Sequence, residues 1–142
     1  MKARKRIASL ALGVVAMGSA ATAQELSILT WEGYAPESIT KPFTEATGCT
    51  ISASYVGSND DFAAKLAAGG SVYDIITPSS DTVQLLTLAG FVDPIDPAMV
   101  ENYAGIYPEF AQNPALVKAG STWAVPLVWG SVSLIYRPDQ IS

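Results

Sequence analysis

Three short apolar segments, each followed by the spacing of an amphipathic helix, occupy most of residues 26–90. Strands are predicted over residues 26–30, 50–56 and 72–77, where β-branched and other apolar residues are concentrated. Turn residues follow each strand, and apolar residues then recur three or four positions apart. Strands and helices that alternate at this short spacing require right-handed crossovers, which give a mostly parallel sheet with helices on both faces. We therefore predict an α/β fold.

Capping residues set the predicted ends of the three helices. Gly48 is expected to end the first helix, and Pro42 to kink or break it. Ser58 and Asp61 have the spacing of a capping box at the start of the second helix. Gly90 is expected to close the third helix. The residues expected to share a helix face are Ile39 with Phe43, Phe62 with Leu66, and Val83 with Leu86.

Residues 1–23 have the composition of a cleaved signal peptide. Four basic residues precede an apolar run over residues 7–17 that is too short to span a bilayer, and Ala21 and Ala23 supply the small residues typical of a cleavage site. An N-terminal membrane anchor is the alternative. No cysteine follows the predicted cleavage site, which argues against a lipid anchor there. We therefore expect an exported protein that begins at Gln24.

The predicted mature part is acidic and has no histidine. The whole chain has a net charge of −5, and removing the signal peptide leaves four basic against thirteen acidic residues, a net charge of −9. Such a surface repels phosphate backbones and anionic lipids, so we expect neither nucleic acid nor membrane as a partner, whereas a cationic or neutral ligand is compatible. Without histidine, Ser-His and Cys-His catalysis are excluded and the commonest zinc ligand is missing. We predict no cofactor and no metal site.

Two strand ends carry side chains suited to ligand binding. Ligands of open α/β sheets bind beyond the carboxyl ends of the strands, so the turns after the first and third strands should lie close together. Trp31 and Tyr34 offer flat faces for an alkyl chain or an ammonium group. Ser79 and Ser80 can donate and accept hydrogen bonds. The structural alternatives are core or rim packing for the aromatic residues and helix capping for one of the serines.

Two carboxylates belong to the same turns. Glu32 lies between the two aromatic residues, and Asp81 falls in the first turn of the third predicted helix. Solvent exposure is the default explanation of Glu32, and stabilisation of the helix dipole explains Asp81 as well as ligand contact does. We retain both as candidate ligand-binding residues, because carboxylates suit a cationic ligand.

Five segments together resemble the spermidine/putrescine-binding periplasmic proteins, which are the solute-binding components of ABC importers. The segments are the Trp-Glu-Gly-Tyr turn, Gly48, and residues 73–79, 89–96 and 124–130. Their order and spacing match those of the family. The resemblance covers nearly all of the predicted mature part. In the family, the residues that match Trp31, Tyr34 and Ser79 line the ligand cleft, and Trp129 matches a recurrent tryptophan near it.

The resemblance implies a lobe of the type II periplasmic-binding-protein fold. Residues 24–142 would form the N-terminal part of the first lobe of a two-lobed protein, and this lobe would be incomplete. The family traps its ligand between the lobes, and the closed form docks on an ABC permease in the inner membrane. The resemblance thus implies a periplasmic, monomeric, non-enzymatic protein that binds a small cation, with putrescine and spermidine as the first candidates.

Other interpretations remain open. The same scaffold can host an opine, an amino acid derivative, a thiamine-like compound or a metal chelate. A third interpretation is an exported enzyme with Glu32 or Asp81 as a general base, or the sensor module of a receptor. The enzyme would lack histidine and a nucleophile beside a base, and the receptor would need a membrane span beyond Ser142. By the same resemblance, residues 24–142 alone should leave a sheet edge and apolar faces uncovered.

Overall fold

The computed structural model describes residues 24–69, 72–131 and 133–140. The predicted signal peptide lies outside these residues. The elements, in chain order, are β1 (Glu25–Trp31), α1 (Glu37–Thr47), β2 (Thr50–Val56), α2 (Asn59–Gly69), β3 (Ile75–Ile76), α3 (Ser80–Leu88), 3₁₀ turns at Pro97–Met99 and Tyr103–Gly105, α4 (Pro108–Ala111), β4 (Val117–Lys118) and β5 (Ser121–Thr122). Within the described ranges, no helix combines the length and apolar character needed to cross a bilayer.

The strands β1, β2 and β3 form a parallel sheet in which β1 is central. β1 pairs with β2 along all seven residues, from Glu25 opposite Thr50 to Trp31 opposite Val56. On its other side it pairs with β3 through two residue pairs. The predicted α/β fold with a parallel sheet is confirmed, and the bounds of β2 coincide with the predicted segment.

β3 is shorter than the strand predicted over residues 72–77. The reason is Asp74, whose N–H donates to the Ser27 carbonyl at 2.9 Å while its carboxylate accepts the Ser27 N–H at 2.7 Å. A side chain thus takes the place of the backbone carbonyl that would continue the ladder. After the strand, the Thr77 N–H still donates to the Leu29 carbonyl at 3.1 Å, so the chain stays alongside β1.

The first two helices cover opposite faces of the sheet. Residues paired in a parallel sheet point to the same face, and successive residues along a strand alternate between faces. The face that carries Leu29 and Val56 packs against Phe62 of α2, and all three residues are buried. On the other face, the Tyr55 hydroxyl donates to the Ala35 carbonyl just before α1. The predicted placement of helices on both faces is therefore confirmed.

The predicted helix ends are confirmed in α1 and α2. Gly48 adopts a left-handed φ of 73° at the end of α1. At the start of α2 the Asp61 N–H donates to the Ser58 hydroxyl at 3.3 Å, and the Asp61 carboxylate accepts the Ser58 N–H at 3.0 Å, which completes the capping box. α1 runs through Pro42 without the expected break. The cost is limited because Ser38, whose carbonyl loses its helical partner, is exposed to water.

Two of the three predicted helix faces are buried. Phe62 and Leu66 of α2 and Val83 and Leu86 of α3 are all buried. The shared face of α1 is not buried: α1 has no buried residue, and Ile39 is 62 % exposed. α1 packs over β2, which is an outer strand of the described sheet, so its apolar face meets less of the core than a helix over β1 would.

The part of the chain after α3 contributes short elements. β4 and β5 form an antiparallel hairpin, and the residues of its turn, Ala119 and Gly120, have φ values of 52° and 81°, as a two-residue turn with two positive φ angles requires. Large apolar side chains of this part and of α3 remain exposed, which agrees with the expectation of uncovered apolar faces. They are Leu88, Met99, Leu134 and Ile135.

Candidate ligand-binding site

A groove of about 1180 Å³ runs along β3, an outer strand of the described sheet. Its lining includes every residue from Tyr73 to Ser80, together with residues 91–95 and 123–130. We call this cavity the edge groove. Its volume exceeds the roughly 300–1,000 Å³ typical of small-molecule pockets, because it follows a whole strand edge rather than a single concavity.

Four of the predicted site residues line the edge groove where β1 and β3 end. Trp31 ends β1 and Tyr34 lies in the turn after it, whereas Ser79 ends the turn after β3 and Ser80 is the first residue of α3. We call these four residues the turn cluster. The two turns therefore lie close together, as the strand-end argument predicted.

A hydroxyl pair fixes the spacing of the two turns. Thr30 is buried in β1, and its Oγ1 lies 2.7 Å from the Oγ1 of Thr77, within hydrogen-bond distance. Thr30 immediately precedes Trp31, and Thr77 lies two residues before Ser79. The hydrogen bond thus joins the ends of β1 and β3 next to the turn cluster, which ties the aromatic turn to the serine turn.

The aromatic turn is shaped by one glycine and by the core. The Tyr34 N–H donates to the Trp31 carbonyl at 3.1 Å, and Gly33 has a φ of 83°, which makes a tight turn that needs glycine at this position. The Trp31 ring packs edge-on against Phe62, with ring centroids 5.4 Å apart and planes at 63°. Trp31 is therefore partly a core residue, and only its remaining surface is open to the edge groove. Glu32, at the second position of the turn, points into solvent rather than lining the groove.

The serine turn is held by a residue that the sequence analysis missed. Ser79 is the N-cap residue of α3, but its side chain makes no capping bond within the described residues. Its hydroxyl accepts a hydrogen bond from Asn59 Nδ2 at 3.1 Å, and its N–H donates to Asn59 Oδ1 at 3.1 Å. The structural alternative of helix capping therefore does not explain the Ser79 hydroxyl. No local sequence pattern marks Asn59, because its contact is 20 positions away.

The other predicted residues are divided between the groove and the solvent. Trp129 lines the edge groove; its ring is stacked on Phe110, with centroids 5.8 Å apart, and the residue is 72 % exposed. Asp81 is exposed in the first turn of α3 and, like Glu32, is not among the residues that line the groove. The structure thus brings together five of the seven candidates and leaves these two carboxylates outside.

Two other carboxylates line the edge groove. Asp74 already binds the Ser27 N–H, so its charge is engaged in the sheet. Asp93 is exposed and was not among the predicted ligand residues; an Asp-Pro pair is typical of a turn. In the part of the chain that the structure describes, no group of three or more His, Cys, Asp or Glu side chains has a metal-binding arrangement.

Comparison with known sequences agrees with the predicted family. The family model for bacterial extracellular solute-binding proteins matches residues 26–142. The putrescine-binding periplasmic protein SpuD of Pseudomonas aeruginosa is 30 % identical over 94 % of this chain and 36 % of its own length. The spermidine/putrescine-binding periplasmic protein of Salmonella typhimurium is 30 % identical over 93 % of this chain and 39 % of its own length. The chain thus spans less than two fifths of these relatives.

Comparison with solved structures agrees with the α/β fold. The spermidine/putrescine substrate-binding protein PotD of Streptococcus pneumoniae superposes with a TM-score of 0.62 and 29 % identity, over 66 % of this chain and 29 % of that one. A putative spermidine/putrescine ABC transporter protein of Listeria monocytogenes superposes with a TM-score of 0.58 and 25 % identity, over 62 % of this chain and 27 % of that one. From the family match and these likenesses, the chain belongs to the bacterial extracellular solute-binding proteins.

Proposed function

We propose that this chain is the N-terminal part of the periplasmic solute-binding component of an ABC importer, and that it captures a small cation of the polyamine class. The observation that carries the proposal is the turn cluster, which presents two aromatic faces and two hydroxyls at the ends of adjacent parallel strands. The ligand class is supported by the relatives, whose names state putrescine or spermidine binding.

The chemistry of the turn cluster suits a diamine. A methylene chain can pack against the faces of Trp31 and Tyr34, and an ammonium group over either face gains about 0.5–2 kcal/mol. The hydroxyl oxygens of Ser79 and Ser80 can accept hydrogen bonds from the ammonium group. These contacts bind a ligand without making or breaking a covalent bond, so the proposed role is capture and not catalysis.

The acidic residues act over a longer range in this proposal. Glu32 and Asp81 lie beside the turn cluster in sequence and are exposed, where they attract a cation over a distance. The net charge of −9 in the predicted mature part, from four basic and thirteen acidic residues, adds to this attraction. Trp129 contributes an aromatic surface to the edge groove and, in this proposal, borders the ligand.

The cellular setting follows from the same proposal. Residues 1–23 direct export and are removed, and residues 24–142 form part of the first of two lobes. The ligand is enclosed between the lobes, and the closed, monomeric protein delivers it to a permease in the inner membrane. Support comes from the basic and apolar pattern at the N-terminus and from the periplasmic relatives.

Titration calorimetry of the full-length protein with putrescine and spermidine tests this function. We expect binding of at least one polyamine, and Trp31→Ala should weaken it by roughly 2- to 30-fold through loss of the ring contact. Phe43→Ala, which removes an aromatic ring of α1 outside the edge groove, is the matched control and should leave the affinity unchanged. Binding of an opine, an amino acid derivative or a thiamine-like compound instead of polyamines would replace the proposed ligand class.

A further inference from the structure

The Asn59 amide group joins the starts of two helices. Its Oδ1 accepts the Ser79 N–H and its Nδ2 donates to the Ser79 hydroxyl, each at 3.1 Å. Asn59 is the first residue of α2, which follows β2, whereas Ser79 directly precedes α3, which follows β3. Because β1 lies between β2 and β3, the two bonds cross the end of β1, where Trp31 lies.

These two bonds determine that the Ser79 hydroxyl acts as an acceptor toward Asn59. A backbone N–H can only donate, so the Asn59 atom that faces the Ser79 N–H must be the oxygen, and the amide nitrogen must face Ser79 Oγ. The amide nitrogen can only donate, so Oγ accepts. One lone pair and the hydroxyl hydrogen of Ser79 then remain for other partners, in directions that Asn59 sets.

Ser79 also has a competing local partner. It occupies the N-cap position of α3 with φ −67° and ψ 155°, a conformation in which a serine hydroxyl ordinarily accepts a backbone N–H of the first helical turn. In the described residues it makes no such bond. Asn59 therefore holds the hydroxyl away from the capping geometry while Ser79 lines the edge groove.

Asn59 is itself fixed at the start of α2. The Asp61 carboxylate accepts the N–H groups of Gly57 and Ser58 at 3.1 and 3.0 Å, and these bonds close the turn that precedes Asn59. An amide on such a fixed helix start can direct a hydroxyl with little further ordering when a ligand binds.

We infer that Asn59 is a positioning residue of the ligand site, which keeps the Ser79 hydroxyl in the edge groove so that its Oγ accepts one N–H of a primary ammonium group. This inference rests on the proposed function for its ligand class. An ammonium group carries three donors and needs acceptors in set directions, and the remaining lone pair of Ser79 supplies one. Asn59 acts through Ser79 and does not itself touch the ligand.

A double-mutant cycle in the full-length protein, measured by calorimetry with putrescine, tests this role. Ser79→Ala should weaken binding roughly tenfold, since it removes a hydrogen bond to a charged group, and Asn59→Ala should weaken it by a similar factor. The double variant should be no more than about twofold weaker than Ser79→Ala, because Asn59 acts through Ser79. Losses that multiply in the double variant would overturn the inference.

Asn59→Asp tests whether binding depends on keeping Ser79 Oγ in place with a lone pair free. A carboxylate still accepts the Ser79 N–H and also accepts the Ser79 hydroxyl hydrogen, so Oγ stays in place with its lone pairs free. We expect affinity within about threefold of the parent protein, in contrast to Asn59→Ala. In a Ser79→Ala background, Asn59→Asp should bind putrescine no more tightly than Asn59→Ala. If Asn59→Asp kept the same advantage over Asn59→Ala in that background, the advantage would come from the added charge, and the inference would be overturned.

A crystal structure without ligand tests whether Asn59 positions the Ser79 hydroxyl. In a crystal structure of the full-length Asn59→Ala variant, we expect Ser79 Oγ to turn toward α3 and accept a backbone N–H from Asp81 or Thr82. An unmoved Oγ would contradict the inference. If the parent protein binds neither putrescine nor spermidine, the proposed function fails, but this rotation still tests what Asn59 does.

Ser58→Ala is the matched control for loosening of α2. It removes the hydroxyl that accepts the Asp61 N–H but leaves both bonds between Asn59 and Ser79 intact. We expect a lower melting temperature and a change in putrescine affinity of less than about twofold. A loss as large as that of Asn59→Ala would mean that any weakening of α2 harms binding, and the specific role of Asn59 would be wrong.

Discussion

The Trp31 ring rests edge-on against Phe62, a residue of α2 with no exposed surface. A side chain at the end of a strand is thereby held by the core on one side and borders the edge groove on the other. A substitution in the core next to this ring should therefore alter ligand binding at the candidate site, whereas a substitution of the same size away from the ring should not.

Phe62→Leu tests this connection. The change removes the aromatic pair, and we expect the free energy of unfolding of the full-length protein to fall by about 1 kcal/mol beyond the loss of buried area. Because Trp31 loses its support, the affinity for putrescine should fall as well. Urea unfolding and calorimetry measure the two effects. Phe43→Leu on the exposed face of α1 is the control, and a larger loss of stability there would contradict the described core.

Gly48 should resist substitution for a conformational reason alone. A β-carbon at Gly48 would meet no atom within 4 Å, but the residue has a φ of 73°. Gly48→Ala should therefore lower the free energy of unfolding by roughly 1–2 kcal/mol. Gly69→Ala is the matched control, because its β-carbon would also meet no atom within 4 Å and its φ is not positive. Equal effects of the two changes in thermal or urea unfolding would contradict this explanation.

Asp61 should make the start of α2 sensitive to acid. The Ser58 side chain and then the Gly57 N–H hold the pKa of the Asp61 carboxyl below its ordinary value. A lowered pKa in the folded state means that the stabilisation is present above the unfolded-state pKa and is lost as the pH falls through the folded-state pKa. We expect Asp61→Asn to be less stable than the parent at neutral pH, with the difference shrinking below about pH 4.

Thermal unfolding at several pH values measures this difference. Asp60→Asn removes a neighbouring carboxylate of the same first turn and is the control for a general effect of charge. A difference between Asp61→Asn and the parent that stays constant from neutral to acidic pH would show that the carboxylate charge does not stabilise the helix start.

Glu32 and Asp81 should influence ligand capture mainly through long-range attraction. Both are exposed and lie outside the lining of the edge groove, so their charges are screened by salt. Glu32→Gln and Asp81→Asn should each weaken putrescine binding by less than about fivefold at low ionic strength, and the effect should vanish at high salt. Glu45→Gln, in the last turn of α1, is the control of equal charge. A loss that persists at high salt would instead indicate direct contact with the ligand.

Local patterns predicted the parts of the fold that local interactions determine. The bounds of β2, the end of α1 at Gly48 and the capping box of Ser58 and Asp61 depend on residues close together in sequence. The length of β3 was not predictable, because it depends on the Asp74 carboxylate binding the Ser27 N–H across 47 positions. The exposed face of α1 was missed because spacing shows which residues share a face and not how much of the sheet lies beneath.

The candidate site was likewise predictable only where local sequence determines it. The strand-end rule correctly brought the turns of Trp31 and Ser79 together, because it depends only on strands being parallel. Asn59 and Phe110 were missed as partners of Ser79 and Trp129, since contacts between distant segments leave no periodic pattern. The position of Glu32 outside the groove follows from the direction of a single tight turn, which the Trp-Glu-Gly-Tyr sequence does not specify.

The bond between Asp74 and Ser27 has a consequence for how the sheet is aligned. A strand as short as β3 has too few ladder bonds to exclude a shift along β1, and a shift by one residue would exchange Ile75 and Ile76 between the two faces. A charged oxygen that accepts the Ser27 N–H at 2.7 Å fits only one alignment. Asp74 therefore fixes the register of β3. An aspartate at the opposite end of the strand from the serine turn determines that Ile76, and not Ile75, packs against the buried cluster of Leu29, Val56 and Phe62.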